Sequence, residues 1–175
     1  MAVNLIPNGT FEVNANGAIN NSNASVARST AQHQTGVASL LVTSLAAGNW
    51  SAAILQLDGA TRIAVSPNTK YTMTGWFYSG SGVRAHRIQV SERNSGGGTT
   101  ATNNSADGAL PAGVWTQRTV TFTTTATTVS VIPLLVGTSA AAAGETFYAD
   151  TLILELTDDT WANIGGERRA NIWYR

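Results

Sequence analysis

Two-residue periodicity, broken at short intervals by turn residues, restricts what this chain can fold into more than any other feature. Tyr71, Met73, Gly75 and Phe77 alternate with Thr72, Thr74, Trp76 and Tyr78. In an extended chain, side chains two apart share a face, so this run predicts a strand with one apolar face and one polar-aromatic face. Val120 and Phe122 alternate with Thr119, Thr121 and Thr123 in the same way. The stretch 129–136 is almost continuously apolar and predicts a strand covered on both faces. Residues 147–156 form a further long strand with Leu152, Leu154 and Leu156 on one side, and strands are also expected at 37–45, 51–57 and 83–92.

Turn-forming residues fall between these runs: Asn8-Gly9, Asn16-Gly17, Gly48-Asn49, Ser66-Pro67-Asn68, Ser79 to Gly82, Gly96 to Gly98 and Pro111-Ala112-Gly113. No segment combines a helical stripe with caps. Ala140 to Ala143 favours helix by propensity, but four residues are too few to nucleate one. About eight strands with many turns imply an all-β chain, a two-sheet antiparallel sandwich or a barrel. A chain of 175 residues suits one such domain. We place it at 1–156, with 157–175 as a C-terminal extended arm.

The surface chemistry is uncharged. Only 11% of the residues are Asp, Glu, Lys or Arg, and ten basic residues balance ten acidic ones. That balance gives no electrostatic drive toward nucleic acid or an anionic membrane. No apolar run approaches the roughly 20 residues of a membrane-spanning helix. Residues 1–9 lack the basic start and apolar run of a signal peptide. There is no cysteine, so disulfides play no part.

Catalytic patterns are missing as well. The acidic residues are scattered singly apart from Asp158-Asp159, whereas a glycosidase needs two carboxylates in one cleft. No nucleophile elbow is present. Gly96-Gly97-Gly98 lacks the Lys-Ser/Thr of a phosphate loop. His33 and His86, far apart and without cysteine partners, do not suggest a transition-metal site. The expectation is a binding protein that does no chemistry.

Five short motifs occur in a telling order. They are Asn4 to Glu12 (N-L-I-P-N-G-T-F-E), Gly36 to Val42 (G-V-A-S-L-L-V), Lys70 to Trp76 (K-Y-T-M-T-G-W), Val114 to Thr116 (V-W-T) and Phe147 to Leu154 (F-Y-A-D-T-L-I-L). Together they span residues 4–156, and in that order they resemble the jelly-roll carbohydrate-binding modules of the group that includes xylan- and glucan-binding families. The resemblance implies a jelly-roll sandwich whose chain ends pair. It also implies that Glu12 and Asp150 meet there and hold a structural calcium ion together with backbone carbonyls. Calcium takes six to eight oxygen ligands, which carboxylates and turn carbonyls such as those at Asn8-Gly9 supply. The alternative is that Asp150 merely hydrogen-bonds a turn while Glu12 faces water. Many relatives carry a Trp soon after the opening Glu, and here residues 13–24 have none.

Trp50, Trp76 and Tyr78 are the candidate sugar platform. Sugars present apolar C–H faces, which flat aromatic rings cover while polar groups at the edge bond the hydroxyls. Arg84, His86, Arg87 and Gln89, on the following strand, are expected to supply those edge contacts. The alternative is that these aromatics pack under loops or at a subunit contact, and Trp115 is assigned to packing.

The segment 157–175 differs in character. It combines Trp161, Ile164, Ile172, Trp173 and Tyr174 with Arg168, Arg169 and Arg175. Trp, Tyr and Arg are enriched at interface hot spots, so an arm docking on a copy of the chain or on a shell subunit is expected, through Trp161, Arg168, Arg169, Trp173 and Tyr174. Free-standing, cysteine-free copies of this fold look like those of tailed-bacteriophage virion proteins. The leading expectation is therefore a homo-oligomeric structural protein of a phage particle, decorating the capsid or tail, on the virion surface or otherwise extracellular. The alternative is a module that recognises a polysaccharide through an aromatic groove.

Overall fold

The computed structural model describes residues 3–140 and 142–157. Among them are twelve strands and no helix. In chain order these are β1 (Ala18–Ser22), β2 (Ala24–Ser29), β3 (Ser39–Ser44), β4 (Gly48–Ile54), β5 (Ile63–Ala64), β6 (Lys70–Tyr78), β7 (Val83–Arg93), β8 (Thr99–Asn104), β9 (Gly108–Leu110), β10 (Thr116–Thr123), β11 (Ser130–Ala140) and β12 (Thr146–Leu156). A seven-stranded sheet runs β1-β4-β11-β7-β8, with β5 also on β11 and β9 also on β7. A five-stranded sheet runs β10-β6-β12-β3-β2. Each strand pair is antiparallel. The predicted two-sheet sandwich is the observed one.

The core lies between the sheets. From the five-stranded sheet come Leu40, Val42, Met73, Phe77, Phe147, Leu152 and Leu154; from the seven-stranded sheet, Trp50, Ile54, Ile88, Val90, Val131 and Leu135. Each fully buried aliphatic or aromatic side chain of this kind contributes about 1.5–3 kcal/mol relative to exposure. The predicted two-faced strand is β11. Its Val131 and Leu135 enter the main core, while Leu134 and Val136 form a second small cluster with Ala53 on the opposite face.

The N-terminal segment closes the sandwich beside β12, as its motif order implied. Leu5 N donates to Leu154 O at 2.7 Å, Leu152 N donates to Gly9 O at 2.9 Å, and the Asn4 side chain bonds both Leu152 O and Leu154 N. A side chain at Gly9 would collide with the Leu152 carbonyl, so the chain can approach β12 this closely only with glycine there.

Candidate functional site

The outward face of the five-stranded sheet carries a row of aromatic rings. Tyr78 on β6 sits opposite Tyr148 on β12, with ring centroids 6.0 Å apart. Trp115, just before β10, lies 5.5 Å from Tyr78 on its other side. Beyond Tyr148 the row continues through Leu41 on β3 to Ala27 on β2. Trp76 stands one step along β6 on the same face, opposite Gln117 of β10. All four rings are half-buried, so their faces are partly open. The reason lies in the local sequence: β6 alternates strictly, with Tyr71, Met73 and Phe77 buried and Trp76 and Tyr78 turned outward. Phe147 goes inward from β12, which turns Tyr148 outward.

Polar groups border the rings. Gln117, Thr119 and Thr121 of β10 face Trp76, Thr74 and Thr72 of β6, and Glu155 of β12 pairs with Thr72 on its other side. Thr72 Oγ1 is 2.9 Å from Thr121 Oγ1. Half-open rings edged by hydroxyl and amide groups are chemically suited to a sugar face and its hydroxyls.

Trp50 and three of the predicted edge residues do not belong to this face. Trp50 is fully buried on the inner side of β4, 4.8 Å from Phe147, and its indole lies over Gly137. The run Trp50-Ala52-Ile54 is itself a period-two core pattern, and glycine opposite it on β11 makes room for the indole. His86 is also fully buried, in line with Ile88 and Val90 on the inner side of β7. Furthermore, β7 is not the neighbour of β6. The chain crosses at Ser79 to Gly82 from one sheet to the other, so His86, Arg87 and Gln89 cannot edge a site on Trp76 and Tyr78. Arg84 lies in β7, and its side chain is outside the described residues. Reading the residues alone missed Tyr148 and assigned Trp115 to packing; the signal was the alternation Phe147/Tyr148 and the position of Trp115 at the head of the strand beside β6.

The outward face of the seven-stranded sheet is different. Ala53, Leu134 and Val136 make a small apolar patch, with Ile19 and Ile132 against it. Arg87, opposite Val136, bonds Asp107 at 3.1 Å and Gln89 Oε1 at 3.4 Å. Trp50 is the one aromatic residue in the described strands of this sheet apart from the core imidazole, and it points inward.

Glu12 and Asp150 do converge, on the loop 34–37. Asp150 is fully buried where β12 bulges; its Oδ2 accepts the Gln34 and Thr35 N–H groups at 2.8 and 2.9 Å, and its Oδ1 accepts Thr151 N–H at 2.6 Å. Glu12 is half-buried rather than facing water, and its Oε2 accepts Val37 N–H at 2.9 Å. Its Oε1 is buried without a partner. A side chain at Gly36 would strike that carboxylate. No group of three or more acidic, His or Cys side chains forms among the described residues. A buried, unpartnered carboxylate oxygen is a donor that fits a hard cation completed by carbonyl oxygens. The predicted interface residues Trp161, Arg168, Arg169, Trp173 and Tyr174 lie outside the described residues.

No curated protein matches the chain in sequence. Among solved structures, the CBM22-1–GH10 modules of the Clostridium thermocellum endo-1,4-β-D-xylanase 10B, complexed with xylohexaose, superpose with a TM-score of 0.67 at 18% identity, over 85% of this chain and 28% of that one. The CBM22-1 xylan-binding domain of Paenibacillus barcinonensis Xyn10C gives 0.61 at 16% identity, over 89% and 92%. The enzymatically active domain of a bacteriophage CBA120 tailspike protein gives 0.59 at 11% identity, over 89% and 22%. The chain therefore spans under a third of the xylanase chain and nearly all of the free xylan-binding domain. These likenesses establish the fold. Residues 3–140 match the pattern of a sequence family, and the chain belongs to it: the carbohydrate binding domain family.

Proposed function

We propose that this chain is a non-catalytic module that binds a soluble polysaccharide on the outward face of its five-stranded sheet. The observation that carries the reading is the row Trp115–Tyr78–Tyr148 with Trp76 beside it: four half-open rings on one face of a carbohydrate binding domain. The contact is apolar C–H surface on ring faces, with Gln117 and Thr119 bonding hydroxyls. Xylan is the first probe, since the solved neighbours named above include xylan-binding domains. The test is retention in affinity electrophoresis through soluble xylan, followed by a panel of other glycans. Tyr148→Ala and Trp76→Ala are expected to reduce affinity by about tenfold or more each, corresponding to about 1.4 kcal/mol. Gln89→Ala, on the other sheet, is expected to leave it unchanged. Loss of binding in Gln89→Ala alone moves the site to the seven-stranded sheet, and no binding to any glycan removes the reading.

Calcium at Glu12 and Asp150 is part of the same proposal, in a structural role that holds loop 34–37 against the N-terminal segment. The support is the unpartnered Glu12 Oε1.

A place on a phage particle rests on the Trp- and Arg-rich composition of residues 157–175; the tailspike likeness extends to the fold alone. That reading is tested by looking for symmetry-related copies of the chain on purified virions. Their absence leaves the glycan-binding reading as the whole function.

A further inference from the structure

Three nitrogens in the middle of the core lack hydrogen-bond partners: Trp50 Nε1 and both ring nitrogens of His86. The register explains their placement. Gly137 of β11 sits between Trp50 on β4 and His86 on β7, in one row across the sheet. On its other side His86 is paired with Gly108 of β9. Glycine on both flanks gives the imidazole room without giving it a partner. Above it stand Phe77, with ring centroids 4.2 Å away, and Phe147, at 4.8 Å.

Each element packed on His86 presents a defined group to it. β6 offers Phe77, β12 offers Phe147, β11 and β9 offer glycines, and β4 offers Trp50. β10 offers Arg118, a cation whose guanidinium donates to the Gly108 and Ala109 carbonyls at 2.8 Å each. Among the described side chains no carboxylate faces the ring. A neutral imidazole is tolerated here as a core ring, but an imidazolium would be buried, unpaired and beside a like charge.

We propose that His86 is an acid-sensitive lock of the sandwich: neutral, it packs the two sheets together, and proton uptake drives them apart. The strands it would disturb are those that carry the aromatic row, because Phe77 and Phe147 immediately precede Tyr78 and Tyr148 in the chain. Burial, with a smaller contribution from Arg118, lowers the pKa of His86 from 6.5 to about 3. The unfolded chain therefore takes up this proton at a higher pH than the folded one. Stability from this group is complete above pH 6.5 and is lost as pH falls from there toward 3. Within that window the folding constant drops by about tenfold per pH unit.

Urea unfolding of the full chain from about pH 7 to about pH 4 tests this, with His86→Phe as the comparison. The natural chain is expected to lose its folding constant faster than the variant by about tenfold per unit. Parallel profiles overturn the proposal. Should His86→Phe fail to fold, NMR of the His86 imidazole in the natural chain decides: a ring still neutral at about pH 5 supports the lock, and one that titrates near its ordinary value sinks it. Neither readout involves a glycan, so failure here is separate from failure of the glycan-binding reading.

Discussion

Gly137 carries a constraint that no other residue type can meet. Any side chain there would enter the indole of Trp50, whose burial anchors the centre of the core. Gly137→Ala is expected to cost about 1–3 kcal/mol in urea unfolding, as overpacking does. Gly80→Ala, where a side chain meets open space, is expected to stay within about 0.5 kcal/mol. At this scale the sequence was only partly legible. Trp50 and His86 look like exposed binding residues when judged by type, yet each sits in a period-two run with Ile54 or Ile88 that assigns it to the core. Glu12 and Asp150 were found through motif resemblance, and the geometry joins them through loop 34–37. With calcium at about a hundred times its dissociation constant, a native-state site adds about 2.7 kcal/mol. Chelator-stripped protein is therefore expected to melt higher as calcium is added, and Glu12→Gln, which keeps the side chain's size, is expected to abolish the response. An unchanged melting temperature in the natural chain removes the ion from the account.

The strands recovered from sequence are those with an apolar face: β3, β4, β6, β7, β10, β11 and β12. The ones missed are β1, β2, β5, β8 and β9, and their sequences show why. β8 reads TTATNN and β1 reads AINNS, so neither gives a strong period-two apolar signal; β8 lies at a sheet edge, paired with β7 alone across the turn at 94–98. The chain's passage between sheets at Ser79 to Gly82 was equally hidden, because a turn motif does not say whether the next strand pairs with the last or leaves it. Buried polar side chains then tie elements together. Glu92 of β7 is fully buried, and its carboxylate accepts Asn103 Nδ2 of β8 at 2.7 Å, Thr125 N–H at 2.9 Å and Thr128 Oγ1 at 2.6 Å. It thereby fixes the edge strand β8 and the turn before β11 to β7. Glu92→Ala leaves those donors unsatisfied, and a loss of about 2–4 kcal/mol is expected in denaturant unfolding. A loss under about 0.5 kcal/mol would mean that water replaces the carboxylate at no cost.

Across the whole molecule the two outward faces divide the chemistry. The seven-stranded sheet presents small aliphatic groups with an Arg87–Asp107 pair at their border. The five-stranded sheet presents four rings among threonines, on a protein of zero formal net charge. Recognition on such a surface depends on shape and apolar contact, and is expected to be insensitive to salt. The sequence led first to a phage structural protein and second to a glycan-binding module, and the carbohydrate binding domain match favours the second. The aromatic face is the central claim, and residue-resolved NMR during titration with a soluble xylo-oligosaccharide, or with whichever glycan the panel identifies, tests it most directly. The account predicts shifts concentrated at Trp76, Tyr78, Trp115 and Tyr148, with those of Arg87, Gln89 and Asn104 unmoved. Shifts confined to Arg87, Gln89 and Asn104, with the four aromatic residues silent, would contradict it.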